Sequence, residues 1–162
     1  MLPDDAIVIA DRSTAGSILC SPRKRQGLAY VVSIGGPQER PPAGFRQVDD
    51  RLRLVFEDEA SEAEGGPSPE DVDRLIHFAR HVDLAKGRVL VHCQAGVSRS
   101  SAAAAILLAV VLGPNREQDA VQHVLKSHPP ARPNVRMLEL ADAALGTGGA
   151  LVRALGMGIV SR

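Results

Sequence analysis

The residues of this chain best suited to covalent chemistry are Cys93 and Arg99, with five residues between them. They fall in the run Val89-Leu90-Val91-His92-Cys93-Gln94-Ala95-Gly96-Val97-Ser98-Arg99-Ser100-Ser101. An apolar segment leads into His92, Cys93 opens a short loop with Gly96 in its middle, and an apolar helix follows. A loop of this length can turn its backbone N–H groups inward as a nest for an anion. A helix starting at its end adds the positive end of a dipole. Such a field favours a thiolate, so Cys93 is expected to have a lowered pKa and to be nucleophilic near neutral pH. Arg99 offers a planar fork that grips two oxygens of a phosphate. The plainer reading is a buried, inert cysteine after a strand, with Arg99 capping a neighbour.

Holding such a loop takes a strand before it and a helix after it. Arg88 to Val91 is apolar in character, as expected of a central strand buried on both faces. Ser101 to Leu112 is almost all Ala, Ile, Leu and Val and reads as a buried helix, too short to span a bilayer. Upstream, Ile7-Val8-Ile9, Tyr30 to Ile34 and Leu52 to Phe56 read as strands. Residues 37–44 carry three prolines and a glycine and read as an irregular loop. Ser68-Pro69-Glu70-Asp71 is a helix start, and Val72, Leu75, Ile76, Ala79 and Val82 share one face of a helix that Gly87 stops. Later helices are expected from Asn115 to about Ser127, from a cap at Asn134 to about Leu145, and over Ala150 to Leu155. Strands alternating with helices predict a single α/β domain with a mostly parallel central sheet flanked by helices. Within 1–162, residues 1–50 read as an irregular N-terminal part, about 51–145 as the catalytic core, and 146–162 as a short helical tail.

A chain of 162 residues suits one domain with a sizeable core, and with 44% apolar but only 2% aromatic residues that core must be aliphatic. Zero net charge gives no footprint for nucleic acid or a membrane surface. The segment Met1 to Asp5 lacks the features of a signal peptide, and two cysteines make no disulfide framework. A reducing, cytoplasmic setting is therefore expected. Cys20 reads as a core residue, or alternatively as a resolving thiol for Cys93. His77 and His81 stand four apart on a helix, but a metal site needs more ligands, so neither metal nor cofactor is expected. The acidic run Glu57 to Glu64 ends in Gly65-Gly66, which reads as flexible, and by composition alone it is a solvated loop.

The pattern His92-Cys93, five residues, Arg99-Ser100 resembles the signature of the cysteine-dependent protein tyrosine phosphatases. The run Ala95-Gly96-Val97-Ser98-Arg99-Ser100 looks most like their dual-specificity branch. The resemblance is strong over about residues 51–112 and extends to 145, where Pro133-Asn134 is similar to a pair the family often carries. The Gly-rich tail looks most like that of small bacterial members. The resemblance implies that Cys93 is the nucleophile, forming a phosphocysteine, and that Arg99 binds the phosphoryl group. Backbone N–H groups of Gln94, Ala95, Gly96, Val97, Ser98 and Arg99 would complete the cradle. His92 would orient the loop and help keep Cys93 ionised, Ser100 would hydrogen-bond the sulfur as it leaves, and Asn134 would be structural beside the site. The family's general acid is an Asp on a mobile loop upstream. Asp58, 35 residues before Cys93 and just after a strand, fits, with Glu57 and Glu59 as competitors.

The implied function is a phosphomonoester hydrolase, a protein tyrosine or dual-specificity phosphatase acting on a phosphorylated protein or a small phosphomonoester. Three other readings compete. An inositol-phosphate phosphatase would often carry Lys in the loop, which Gln94, Ala95, Val97 and Ser98 do not supply. A weakly active phosphoprotein-binding module would need some defect other than at Cys93 or Arg99. A sulfurtransferase is disfavoured by Arg99-Ser100 and the upstream acid. Tyr30 lies within a strand pattern, so no aromatic wall is evident and a shallow, permissive pocket is expected.

Overall fold

The β-branched and leucine-rich runs form four strands among the described residues of the computed structural model, 2–157: β1 (Ile7–Ala10), β2 (Leu28–Gly35), β3 (Asp50–Val55) and β4 (Arg88–His92). They lie in the order β1-β4-β2-β3, with every pairing parallel. The expected mostly parallel α/β sheet is thus parallel throughout. Parallel neighbours need crossovers: α1 (Arg12–Cys20) and α2 (Pro22–Arg25) lie between β1 and β2, α3 (Pro69–Ala79) lies between β3 and β4, and β2 and β3 are joined by a loop with one short 3-10 turn, while α4 (Arg99–Leu112), α5 (Glu117–Ser127), α6 (Val135–Leu145) and α7 (Ala150–Gly156) follow the last strand.

Alternation along each strand divides the side chains between two cores. Val89 and Val91 of β4, with Val32, Ile34, Leu52 and Leu54, face α3, α4 and α6, behind which lie α5 and α7. Leu90 and Val31 face a smaller cluster with Ala15 and Leu19 of α1 and Val48. Burial on both sides explains why β4 reads as an unbroken apolar run. Helix α4 lies within the larger layer, against α3, α5 and α6, and is buried from Arg99 to Ala109. Its alanines let neighbouring helices approach closely, and Ile106, Leu107 and Leu108 each contribute about 1.5–3 kcal/mol by leaving water.

Helix α3 begins as its sequence predicts, with Ser68 and Asp71 in a reciprocal capping box and Pro69 in the first turn. It ends at Ala79 rather than Gly87, because residues 80–82 close in turns. Within residues 1–50, read as an irregular part, the two expected strands form as β1 and β2, and the helices α1 and α2 between them are the departure from that reading. Helix α1 escaped the sequence reading because its buried face is only Ala15 and Leu19. Its start is set by Asp11, whose carboxylate accepts from Thr14 N at 2.6 Å.

The core placement of Cys20 is corrected: it is exposed at the last position of α1, off the Ala15–Leu19 face. The first turn of α1 touches the Cys93 loop, where Arg12 N donates to Gln94 O at 3.2 Å. Cys20 lies at the other end of that helix, roughly 12 Å along its axis. A direct disulfide with Cys93 is out of reach in this fold. The Gly65-Gly66 pair is also tied down rather than free. Glu57 N donates to Gly65 O at 2.8 Å and Gly66 N to Ser61 O at 2.9 Å, folding 57–66 into a compact loop. In the tail, α7 is seated by Asp142 of α6, whose carboxylate accepts from Leu151 N at 3.0 Å and Val152 N at 3.2 Å. The end of the tail, 158–162, lies outside the described residues.

Candidate active site

The loop between β4 and α4 is shaped by what holds its carbonyls. The Cys93 carbonyl accepts from His92 Nδ1 at 3.1 Å, and that of Gln94 from Arg12 N. The Gly96 carbonyl accepts from His128 Nε2 at 2.8 Å. The Val97 carbonyl takes both Arg132 N at 2.9 Å and Ser101 Oγ at 2.6 Å, and that of Ser98 takes Asn134 N at 3.1 Å. A trans peptide whose C=O is held outward turns the following N–H the other way. Five amides, those of Gln94, Ala95, Val97, Ser98 and Arg99, are thereby turned into the loop, which is the nest anticipated from its length. Only glycine fits at the turn. Gly96 has φ 70°, and a Cβ there would stand 2.6 Å from Asp11 N and 2.7 Å from Ala10 C.

Cys93 is 2% exposed beneath this nest. Burial pushes its thiol pKa up, but hydrogen bonds from the Ser100 hydroxyl and from the N–H groups of Ser100, Val97 and Gly96 outweigh that and hold it below the usual thiol value. Ser100 Oγ lies 3.2 Å from the sulfur. At the other end, Arg99 is 6% exposed, with Nη1 donating to Phe56 O at 2.7 Å. Its Nη2 lies 3.9 Å from Glu39 Oε1, and its buried Nε has no partner within the protein. A buried guanidinium N–H without an acceptor is costly, and an anion seated in the nest would supply one.

His92 is 1% exposed, and desolvation lowers its pKa to about 4, so the ring is neutral near pH 7. A carbonyl can only accept, so Nδ1 carries the proton toward Cys93 O, and Nε2 accepts from Ser33 Oγ at 2.6 Å. His92 thus sits where it can orient the loop, and without a charge its influence on the thiolate runs through that carbonyl.

The acidic run is brought to the loop by one member. Asp58 Oδ1 accepts from Ser98 Oγ at 2.6 Å and from Asn134 Nδ2 at 2.9 Å. Asn134 also donates to Glu59 O at 3.2 Å, while its Oδ1 caps α6 by accepting from Met137 N at 2.9 Å. Glu57 turns its carboxylate against Gly36, away from this contact, and the Glu59 side chain is exposed. His77 on α3 and His81 in the turn after it lie elsewhere, both exposed, with ring centroids 4.9 Å apart. Among the described residues no group of three or more His, Cys, Asp or Glu is placed to hold a metal ion.

Sequence reasoning missed four residues around this site: Ser33, Glu39, Arg53 and His128. Ser33 and Arg53 each left a signal, being polar within otherwise apolar strand runs. His128 and Glu39 left none, since each reaches the site from an irregular loop.

A family model described as protein-tyrosine phosphatase matches residues 64–138, which contain the loop. No curated protein sequence matches the chain. Among solved structures, the human tyrosine phosphatase-like serine/threonine/tyrosine-interacting protein superposes with a TM-score of 0.69 at 19% identity, covering 88% of this chain and 93% of that one. Human DUSP28 gives 0.62 at 21% identity, covering 88% and 96%. PTPMT1 in complex with PI(5)P gives 0.64 at 17% identity, covering 94% and 97%.

Proposed function

We propose that the chain is a member of the cysteine-dependent protein tyrosine phosphatase superfamily and that it hydrolyses phosphomonoesters of phosphorylated protein side chains through a phosphocysteine on Cys93. The observation that carries the reading is the outward pinning of five carbonyls between a stabilised Cys93 thiolate and a buried Arg99 whose Nε lacks a partner.

In the first step the Cys93 sulfur attacks phosphorus in line, forming P–S and breaking the P–O bond to the leaving group. The nest and Arg99 hold the three equatorial oxygens, whose charge is spread in the transition state. The leaving oxygen takes a proton from Asp58, whose Oδ1 holds both docking hydrogen bonds and leaves Oδ2 for the transfer. In the second step water attacks phosphorus, Asp58 takes its proton, and the P–S pair returns to sulfur. Ser100 Oγ hydrogen-bonds the departing thiolate.

Protein side chains are favoured over polyphosphorylated inositols by a loop without lysine. The four aromatic residues lie away from the mouth: Phe56 is in the core, Tyr30 packs edge-on against Phe78, and Phe45 lies under Arg51. That supports a shallow pocket admitting phosphotyrosine and shorter phosphorylated side chains alike. The test is hydrolysis of an aryl phosphate with a chelator present and with vanadate as inhibitor. Cys93→Ser is expected to abolish turnover while keeping the fold. Arg99→Lys is expected to fail as well, since an ammonium cannot reproduce the two-pronged contact. Near-normal rates in either variant refute the mechanism.

A further inference from the structure

Arg53 and Ser33 touch none of the reacting atoms, yet they stand directly behind them. Ser33 of β2 is fully buried and lies in register with both His92 of β4 and Arg53 of β3. Three side chains on neighbouring parallel strands therefore emerge side by side on one face. Arg53 Nη1 donates to Ser33 Oγ at 2.9 Å, Ser33 Oγ–H donates to His92 Nε2, and His92 Nδ1–H donates to the Cys93 carbonyl. The other arm, Arg53 Nη2, donates to Glu39 O at 2.5 Å, and the Glu39 carboxylate lies 3.9 Å from Arg99 Nη2.

We infer that Arg53 is a positioning residue that braces both ends of the Cys93–Arg99 loop, one arm acting through Ser33 and His92 on Cys93 and the other through Glu39 on Arg99. The inference rests on the phosphatase reading of that loop. The direction of the first arm is fixed by donor count. A guanidinium only donates, so Ser33 Oγ must accept from Arg53 and is left to donate onward; His92 Nε2 must then be bare and Nδ1 protonated. The relay thereby selects the one neutral tautomer that holds the Cys93 carbonyl outward. The strand itself makes room for it. Arg53 lies across Gly35, where a Cβ would come within 2.6 Å of Nη2. The charged groups acting on His92 are Arg53 from β3, Arg12 and Asp11 at the start of α1, and Glu39 from the loop after β2. Of these, only Arg53 reaches it through hydrogen bonds. Removing the first arm frees the tautomer and the carbonyl; removing Arg53 loosens Arg99 as well.

The test compares Ser33→Ala, Arg53→Met and Arg53→Lys by ¹⁵N NMR of the His92 ring, the pH profile of Cys93 alkylation by iodoacetamide, and calorimetric binding of tungstate. In Ser33→Ala the His92 nitrogens are expected to shift toward a mixture of tautomers. The Cys93 pKa should rise by about one pH unit, slowing alkylation about tenfold at mildly acidic pH. Tungstate affinity should stay within about twofold, because the Glu39 arm is intact. Arg53→Met should show both changes and in addition weaken tungstate about tenfold, and Arg53→Lys, able to reach one partner, should restore one end at most. Unchanged ring signals and an unchanged alkylation profile in a folded Ser33→Ala overturn the inference, and so does equal loss of tungstate binding in Ser33→Ala and Arg53→Met. Ser33→Ala deletes one oxygen and carries the test alone if Arg53→Met does not fold. If the unmodified protein hydrolyses no phosphomonoester, the phosphatase reading fails, while the ring signals and alkylation still decide the brace.

Discussion

Asn134 performs two tasks with the two ends of one amide, so a single substitution can separate them. Its Oδ1 caps α6 at Met137 N, and its Nδ2 anchors Asp58 at 2.9 Å. Asn134→Ser keeps a capping oxygen, since Ser and Asn are near-equivalent at this position, but is too short to reach Asp58. Asp58 is protonated when it acts as the acid, so the bond from Asn134 is to a neutral carboxyl and contributes about 0.5–1.5 kcal/mol. The upper end applies here because Asn134 is buried. About 1.4 kcal/mol is a factor of ten in population or rate. The docked fraction of the acid, and with it kcat on an alkyl phosphate, should therefore fall about tenfold. An activated aryl phosphate scarcely needs a proton for its leaving oxygen and should lose less than about twofold. Thermal unfolding should move by only a few degrees. The assay is paired kcat determination on both ester types, with unfolding followed by circular dichroism. An equal fall on both esters would mean that Asn134 acts on the loop as a whole. No fall on either would mean that the docked Asp58 is not the acid.

Gly96→Ala should destroy tungstate binding and turnover, because the added Cβ meets backbone atoms of Ala10 and Asp11 that cannot give, and binding calorimetry reads this directly. Buried His92 has a folded pKa of about 4 against an ordinary 6.5, so its contribution is present above about pH 6.5 and is lost as pH falls toward 4. The loss is about 3 kcal/mol in total and shows as a falling urea midpoint that flattens in His92→Gln. Asp142→Ala should undock α7 and lower stability by about 1–3 kcal/mol while leaving kcat unchanged, because its partners are the α7 amides and Thr147 rather than the loop. Activity should survive chelation, and the double substitution His77→Ala with His81→Ala should leave the rate unaltered.

What the sequence made legible was local. Cys93, Arg99 and the helix after them sit within one short span, so their types and spacing describe the site almost directly. The proposed acid was narrowed to Asp58 with Glu57 and Glu59 as competitors, and the fold separates their positions: Glu57 points to Gly36 while Asp58 meets Ser98 and Asn134. Apart from the His92 contact to Cys93 O and the Ser101 contact to Val97 O, the outward carbonyls were invisible, because their partners come from α1, from His128 and from residues 132–134, remote in sequence. Helix α1 was hidden because two buried residues are too few to mark a period, and Cys20 was misplaced for the same reason. The Arg53–Ser33–His92 line depends on strand register, which no single strand carries in its own residues.

The enclosure of α4 has a consequence for how this protein meets heat. Arg99 is the first residue of a helix buried on every side down to Ala109, and the anion nest ends where that helix begins. Many proteins carry their working groups on soft surface segments that lose function well before the scaffold gives way. Here the aim of the guanidinium is set by the same interlocked layer that holds the molecule together, with no compliant joint between. The curve of tungstate binding against temperature and the curve of global unfolding should therefore superimpose, and the nest should cool back into service only when the whole interior does.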